Sequence, residues 1–494
     1  MAFTHHLLAF FCFLTISVAR AYDNPLVNLD YGVFQGKHST AYNLSYFRKI
    51  PFAAPPTRDN RFRAPQPPLK ILDAVYDTDQ DFDMCPQRTV NGSEDCLYLG
   101  LFSRPWNVRT AASTKRPVLV VFYGGGFIQG SASFTLPPSS YPILNVSNLN
   151  DYVVIYPNYR VNAFGLLAGK AIKESPTSDL NPGLLDQQYV LKWVQKYIHH
   201  FGGDPRNVTI WGQSAGAGSV VAQVLANGRR KQPKLFSKAL ASSPFWPKTY
   251  SYDSPEAEAI YEQLVNLTGC ANTTATLACL KAVDVQAIRD ANLIISASQK
   301  WTSSTFTWAP VIDGEFIFDT LTEAVTSNSL QTDYVFGMYN SHEGENFVPP
   351  GFRSQNTTDG YNSSSSSIHQ WLTGFLPGLS SKQIQVIESK YYPPTGETET
   401  IDPYNSTYVR AGLIYRDVVL ACPAYWLALG AKKSGFVGEY AISPAQHASD
   451  TIYVCLLSLA PIFLPVAYTI AMGLGLIGSH FSGTASILFN RQMN

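Results

Sequence analysis

Charge is in short supply along this chain. Asp, Glu, Lys and Arg make up 15% of the 494 residues, and the two signs balance at 36 each. No basic stripe or run stands out, which argues against nucleic acid as a partner. Cysteine is sparse too, with seven residues. Neither C-x-x-C nor H-E-x-x-H occurs, so no metal centre is expected, and nothing in the chain calls for a cofactor. Internal repeats are absent. The one low-complexity stretch, residues 363–367, reads as an exposed loop. Residues 454–490 contain no Asp, Glu, Lys or Arg. What is plentiful is apolar: hydrophobic residues reach 45% and aromatics 13%. That suffices for a large core, as one big α/β domain or as two or three smaller ones. The aromatics are core residues first, although a pocket for an apolar acyl or aryl group is compatible with them.

Residues 1–21 read as a secretory signal and are set aside from the fold. Their apolar run ends in Ala19-Arg20-Ala21, a small-x-small cleavage pattern, so the mature chain is expected to start at Tyr22. An oxidising destination changes the meaning of the remaining cysteines, Cys85, Cys96, Cys270, Cys279, Cys422 and Cys455. Cys85 with Cys96, and Cys270 with Cys279, are near enough in sequence to close short loops. Sequons stand at Asn43, Asn91, Asn145, Asn207, Asn266, Asn272, Asn356, Asn362 and Asn405. Glycosylation at several of them suits secretion. Asn207 opens a buried strand and is expected to stay unmodified.

Residues 117–122 and 151–156 are continuous apolar runs, typical of parallel strands buried on both faces. Residues 237–242, 333–338 and 435–441 are later strand candidates, and 31–36 is a short early one. Residues 183–201 carry apolar residues at Leu184, Leu185, Val190, Leu191, Val194 and Ile198, which suits an amphipathic helix. Strands alternating with helices predict a doubly wound α/β sheet.

The most informative stretch is Gly212-Gln213-Ser214-Ala215-Gly216, a G-x-S-x-G. A β-branched run, Asn207-Val208-Thr209-Ile210-Trp211, precedes it, and a helical pattern from Ala215 to Leu225 follows. Strand, sharp turn and helix are the context of a nucleophile elbow, so Ser214 is the expected nucleophile. A serine hydroxyl needs a base, an orienter for that base, and donors for the oxyanion. Gly124-Gly125-Gly126 follows a buried strand, and glycines let backbone N–H groups approach a substrate oxygen. Gly125 and Gly126, with the N–H of Ala215, are the expected oxyanion donors. The chain order of such a triad is Ser, then Asp or Glu, then His. His447, in a loop after a strand candidate, is the expected base. Glu343, after the strand at 333–338, is the chosen acid. Glu345 stays open, as an exposed neighbour or as the acid itself.

Several motifs together resemble the type B carboxylesterase/lipase family, which also contains the cholinesterases. They are Glu94-Asp95-Cys96-Leu97-Tyr98-Leu99, Tyr123-Gly124-Gly125-Gly126-Phe127, Gly183-Leu184-Leu185-Asp186-Gln187-Gln188, Phe201-Gly202-Gly203-Asp204-Pro205, and the elbow with its strand. The resemblance runs from about Tyr31 to about Tyr453. It implies an α/β-hydrolase fold over residues 22–453, a Ser214–Glu343–His447 triad, and oxyanion donors at Gly125, Gly126 and Ala215. It also implies disulfides Cys85–Cys96 and Cys270–Cys279. Gly100 departs from the polar residue the family usually has there.

The resemblance implies a secreted serine carboxylic-ester hydrolase acting on a small-molecule ester through an acyl-enzyme. The alternatives are a triacylglycerol lipase and a catalytically impaired, cholinesterase-like binding protein. The loop between Cys85 and Cys96 is short and has no Trp. The family's choline-binding aromatic lies in that loop, and its lipases lengthen it into a lid, so a short loop resembles an uncapped esterase more closely. Phe245 and Trp246 are candidates for an acyl pocket or for core. Oligomeric state is left open. Residues 454–494 no longer resemble the family. Three explanations are open: a membrane span over about 454–479, a GPI signal, or a retained intron, since Val454-Cys455 can be encoded by GTATGT. The retained intron or a faulty gene model is favoured. A genuine span would make the protein membrane-anchored.

Overall fold

The computed structural model describes residues 24–451, apart from 73, 89, 107–112, 114, 133–134, 146–150, 229, 231, 298–306 and 398–402. The expected signal at 1–21 and the segment 454–494, with Cys455, lie outside the described residues.

The strands in chain order are β1 (Leu26–Leu29), β2 (Gly32–Gln35), β3 (Lys37–Ser39), β4 (Leu44–Pro51), β5 (Val75–Asp77), β6 (Tyr98–Ser103), β7 (Arg116–Phe122), β8 (Val153–Pro157), β9 (Gly203–Gln213), β10 (Lys238–Ser242), β11 (Tyr334–Asn340) and β12 (Ser434–Tyr440). Strands β1, β2 and β5 form a small sheet. The main sheet has nine strands in the order β12-β11-β10-β9-β7-β8-β6-β4-β3. From β8 to β12 every neighbouring pair is parallel, while β3, β4, β6 and β8 pair antiparallel. The doubly wound sheet expected from the alternation of apolar runs is therefore present, with an antiparallel flank.

Alternation along the strands builds two core faces. Val118, Val120 and Phe122 of β7 and Val153 and Ile155 of β8 join one apolar cluster. Leu119, Tyr152, Val154 and Tyr156 join the other. Successive side chains leave a strand on opposite faces, so a continuous apolar run means that both faces are covered.

Two helices fix the region around Ser214. Helix α1 (Pro182–Tyr197) starts with a proline in its first turn, and α2 (Ala215–Leu225) is buried along its whole length. Polar side chains join them. Gln187 Nε2 donates to Ser219 Oγ at 2.8 Å, and Gln223 Nε2 donates to the Leu184 carbonyl at 2.9 Å. Asp186 accepts from Arg160 Nε and Nη2 at 2.8 and 2.6 Å, tying α1 to the loop after β8. The Leu-Leu-Asp-Gln-Gln motif is thus the clamp that seats α1 against α2.

Disulfides join Cys85 to Cys96 and Cys270 to Cys279. Loop closure of this kind contributes about 2–4 kcal/mol each. Between them, the buried Arg61 guanidinium forks onto Glu94 at 2.6 and 2.7 Å and donates to the carbonyls of Leu280 and Val283. Cys422 is exposed and unpaired among the described residues.

Three expectations shift. The strand leading to Ser214 starts at Gly203, earlier than its apolar run. The helix read over 183–201 becomes a 3-10 turn from Ile198 to Phe201. The serine run at 363–367 is not a plain loop: Ser364 caps the helix Ser365–Phe375, and Ser367 is buried. Its Ile368, Trp371, Leu372 and Phe375 fall at helical spacing just beyond the serines, and burying them fixes the helix. Among the described residues one segment, Thr407–Leu429, is long and apolar enough to cross a membrane by length and composition, and most of it is buried inside the fold.

Candidate active site

The site begins where β9 meets α2. Ser214 stands between them with φ 59° and ψ −126°, a left-handed backbone unusual for a residue with a side chain. Its N–H donates to the Ser242 carbonyl at 2.9 Å, and its own carbonyl accepts from Gly218 and Phe245 at 2.9 and 3.1 Å. These bonds hold the turn. Close approach explains the flanking glycines. A Cβ on Gly212 would lie 2.2 Å from the Gly216 carbonyl, and one on Gly216 would lie 2.2 Å from the Phe122 carbonyl. Strand β7, strand β9 and helix α2 therefore touch backbone to backbone at the elbow.

The Gly124–Gly126 turn leaves the end of β7 beside that elbow. Gly125 adopts φ 114° and its carbonyl accepts from Ile128 and Gln129 at 3.1 and 3.2 Å. Among the described residues, the N–H groups of Gly125, Gly126 and Ala215 have no protein acceptor. They remain available to an oxygen placed over Ser214. Tyr123 stacks on Tyr159 with ring centres 4.0 Å apart, and each hydroxyl donates to the other's carbonyl. That reciprocal pair anchors the start of the glycine turn.

His447 arrives from the loop after β12, and Glu343 from the loop after β11. His447 Nδ1 lies 2.9 Å from Glu343 Oε2, and the carboxylate is fully buried. Glu345 goes elsewhere: its Oε1 lies 2.9 Å from Nδ1 of His342. The two loops are zipped by backbone bonds from Ser341 to Tyr440 and from His342 to Ala445, at 3.0 and 2.9 Å. Asn346 Oδ1 accepts from the His447 backbone N–H at 3.1 Å, and the Phe347 ring packs edge-on to the imidazole at 4.8 Å.

Several groups at the site were not picked out by sequence motifs. Asn340, the last residue of β11, donates from Nδ2 to Ser243 Oγ, Asp450 Oδ1 and Glu343 Oε2 at 2.9, 3.1 and 3.3 Å. Burial pushes the Asp450 carboxyl up to about 6; the Glu343 charge acts in the same direction, while Asn340 and His447 oppose it. Gln213, the variable position of the elbow motif, places Nε2 3.3 Å from His447 Nε2. No sequence signal marked Asn340 or Asp450, whose contact spans 110 positions; for Gln213 the signal was adjacency to Ser214. Phe245 and Trp246 are both buried in the core, where Phe245 packs on Phe127. The neighbouring Pro247 instead lines an apolar pocket with Leu166, Ile260, Trp308 and Val311. Among the described residues, no group of three His, Cys, Asp or Glu side chains could hold a metal ion.

Comparison with known proteins adds relatives to this geometry. A family model described as the carboxylesterase family matches residues 23–455. Carboxylesterase patB of Penicillium expansum is 30% identical over 389 residues, covering 77% of this chain and 65% of that protein. Acetylcholinesterase of Electrophorus electricus is 34% identical over 374 residues, covering 70% and 56%. Secreted lipase 1 of Botryotinia fuckeliana is 33% identical over 297 residues, covering 54% and 50%. The matched region thus spans about half to two-thirds of the length of these relatives. Among solved structures, Aspergillus niger EstA superposes with a TM-score of 0.69 at 29% identity, covering 83% of this chain and 75% of that one. A PNB esterase superposes with a TM-score of 0.71 at 23% identity, covering 91% and 88%, which speaks to the fold alone.

Proposed function

The chain belongs to the carboxylesterase family and has the α/β-hydrolase fold, and on that premise we propose that it is a serine hydrolase of carboxylic esters, with residues 22–453 as its catalytic domain. The observation that carries this is the His447–Glu343 contact of 2.9 Å beside the Ser214 elbow. Ser214 Oγ attacks the ester carbonyl and its proton passes to His447 Nε2. Glu343 stabilises the imidazolium that forms. The N–H groups of Gly125, Gly126 and Ala215 receive the negative oxygen of the tetrahedral intermediate, where donors fixed before the reaction stabilise it most. Its collapse breaks the bond to the alcohol oxygen, and His447 returns the proton to the departing alkoxide. Water, deprotonated by His447, then releases the acid and restores Ser214.

The short Cys85–Cys96 loop favours small, soluble esters over emulsified long-chain ones. Extracellular action fits the two disulfides. The test is hydrolysis of p-nitrophenyl esters, with an organophosphate ester to label the nucleophile. The labelled peptide should contain Ser214, and Ser214→Ala should lose several orders of magnitude in turnover. A folded Ser214→Ala protein with near-normal turnover would overturn the proposal.

A further inference from the structure

We infer that Gln213 is a positioning residue that caps the basic nitrogen of His447 in the resting site, and that its lack of charge sets the pH range over which this base works. The inference rests on the triad proposed above.

Hydrogen-bond chemistry fixes which end of the amide faces the ring. Glu343 Oε2 lies 2.9 Å from His447 Nδ1 and is buried. An ionised carboxylate only accepts, so Nδ1 carries the proton. In the neutral ring Nε2 is then a bare lone pair, and the Gln213 group 3.3 Å away must be the donating NH2. No hydrogen bond joins the Ser214 hydroxyl to His447 among the described residues. The lone pair that has to take the serine proton is therefore held by Gln213 instead. The other end of the amide lies against the oxyanion turn: a Cβ on Gly124 would sit 3.3 Å from Gln213 Oε1 and 3.2 Å from Ser214 Cβ. A side chain at 124 would crowd the cap.

This contact reports the protonation state of the base. Once His447 is an imidazolium, Nε2 donates, and the amide must turn its oxygen to the ring or let go. Glutamine can satisfy both states. A carboxylate could satisfy only the charged one. The groups facing His447 from the elements around it are Glu343 from the loop after β11, Asp450 from its own loop, neutral Asn346 and Phe347 from the turn after Glu343, and neutral Gln213 from β9. Tyr415 lies behind Glu343, its hydroxyl pushed up by burial. Glu345 is engaged by His342. Two carboxylates already bear on the base, so the neutrality of position 213 keeps a third away from the nitrogen that must be free of a proton.

The test is the pH profile of kcat/KM for the full chain and for Gln213→Glu and Gln213→Met, with active sites counted by organophosphate titration. A carboxylate at this distance should move the midpoint of the acid limb upward by about 1–3 units. Gln213→Met, which removes the cap without adding charge, should move it upward by less than one unit. A structural role would lower activity and leave both midpoints in place; midpoints within 0.2 units of the parent in both variants would overturn the inference. A parent protein that hydrolyses no ester, or carries its label away from Ser214, would overturn the triad instead. In that case the pH at which the downfield imidazole proton of His447 titrates by NMR still decides the role of Gln213 without turnover. An unchanged titration in both variants counts against it, and an upward displacement in Gln213→Glu supports it.

Discussion

Asp450 and Glu343 share one donor: the Asn340 amide nitrogen lies 3.1 Å from the first carboxylate and 3.3 Å from the second. Two carboxylates thus stand around one buried amide, and only Glu343 reaches the imidazole of His447.

Burial of Asp450 beside the Glu343 charge carries a pH-dependent cost, which the Asn340 hydrogen bond offsets only in part. The Asp450 carboxyl rises from its ordinary 3.8 to about 6, chiefly through burial. Between those values the folded chain keeps a proton that the unfolded chain has lost. The stability contributed by this group is therefore complete below 3.8 and falls as pH rises through 6. At about 1.4 kcal/mol per unit, the loss amounts to about 3 kcal/mol at neutral pH. Asp450→Asn keeps the shape and the acceptor and removes the charge. It should be more stable than the parent at pH 7.5 and lose that advantage at pH 4. Urea unfolding at both pH values checks this. Parallel pH dependences in the two proteins would show that Asp450 ionises without penalty.

Backbone contact at the elbow predicts a second cost. Ala at position 216 would place its methyl carbon 2.2 Å from the Phe122 carbonyl oxygen and 2.7 Å from that of Tyr123. Neither neighbour is a side chain that can swing away. Gly216→Ala should lower stability by about 1–3 kcal/mol or more, and it should displace the Ala215 N–H from the oxyanion site. Thermal unfolding together with kcat measures both effects. An unperturbed melting temperature would mean that α2 has room to shift.

The elbow was legible because its signals are local. A β-branched run, two glycines and a helical pattern lie within one stretch of chain, and α2 was expected over the residues it occupies. The loops that bring Glu343 and His447 together could be placed from the sequence, since each follows a strand. Asn340 and Asp450 were not legible. Their contact spans 110 positions, and an Asn or Asp near a loop ordinarily reads as turn chemistry. Gln213 stood in plain view, yet its partner His447 is 234 positions away. A motif position free to vary says nothing about what its side chain meets.

The short Cys85–Cys96 loop carries a third prediction, about substrate form. Eleven positions separate the two cysteines, and the proposed preference for soluble esters rests on that short loop. Rate against concentration for a tributyrin-type ester should rise smoothly through its solubility limit. A sharp jump on crossing that limit would place the protein with the interfacially activated lipases.

The last prediction separates the two neighbouring glutamates. Glu343 is fully buried with both oxygens engaged by Asn340 and with Oε2 on His447. Glu345 meets the partly exposed His342, and a Tyr408 hydroxyl donates to its backbone carbonyl. Replacing Glu343 by Gln leaves the volume unchanged and removes the charge that stabilises the imidazolium. The amide can also turn its NH2 to the ring and stabilise the tautomer with the proton on the wrong nitrogen. Turnover should fall by about 10³–10⁴-fold while the melting temperature stays near that of the parent. Glu345→Gln should change turnover by less than a factor of about three, because it alters only a partly exposed contact with His342, away from His447. Burst kinetics with a p-nitrophenyl ester distinguish a slowed acylation from misfolding by giving the number of active sites. A larger loss in Glu345→Gln than in Glu343→Gln would assign the role to the other carboxylate and would require the loop after β11 to rearrange when substrate binds.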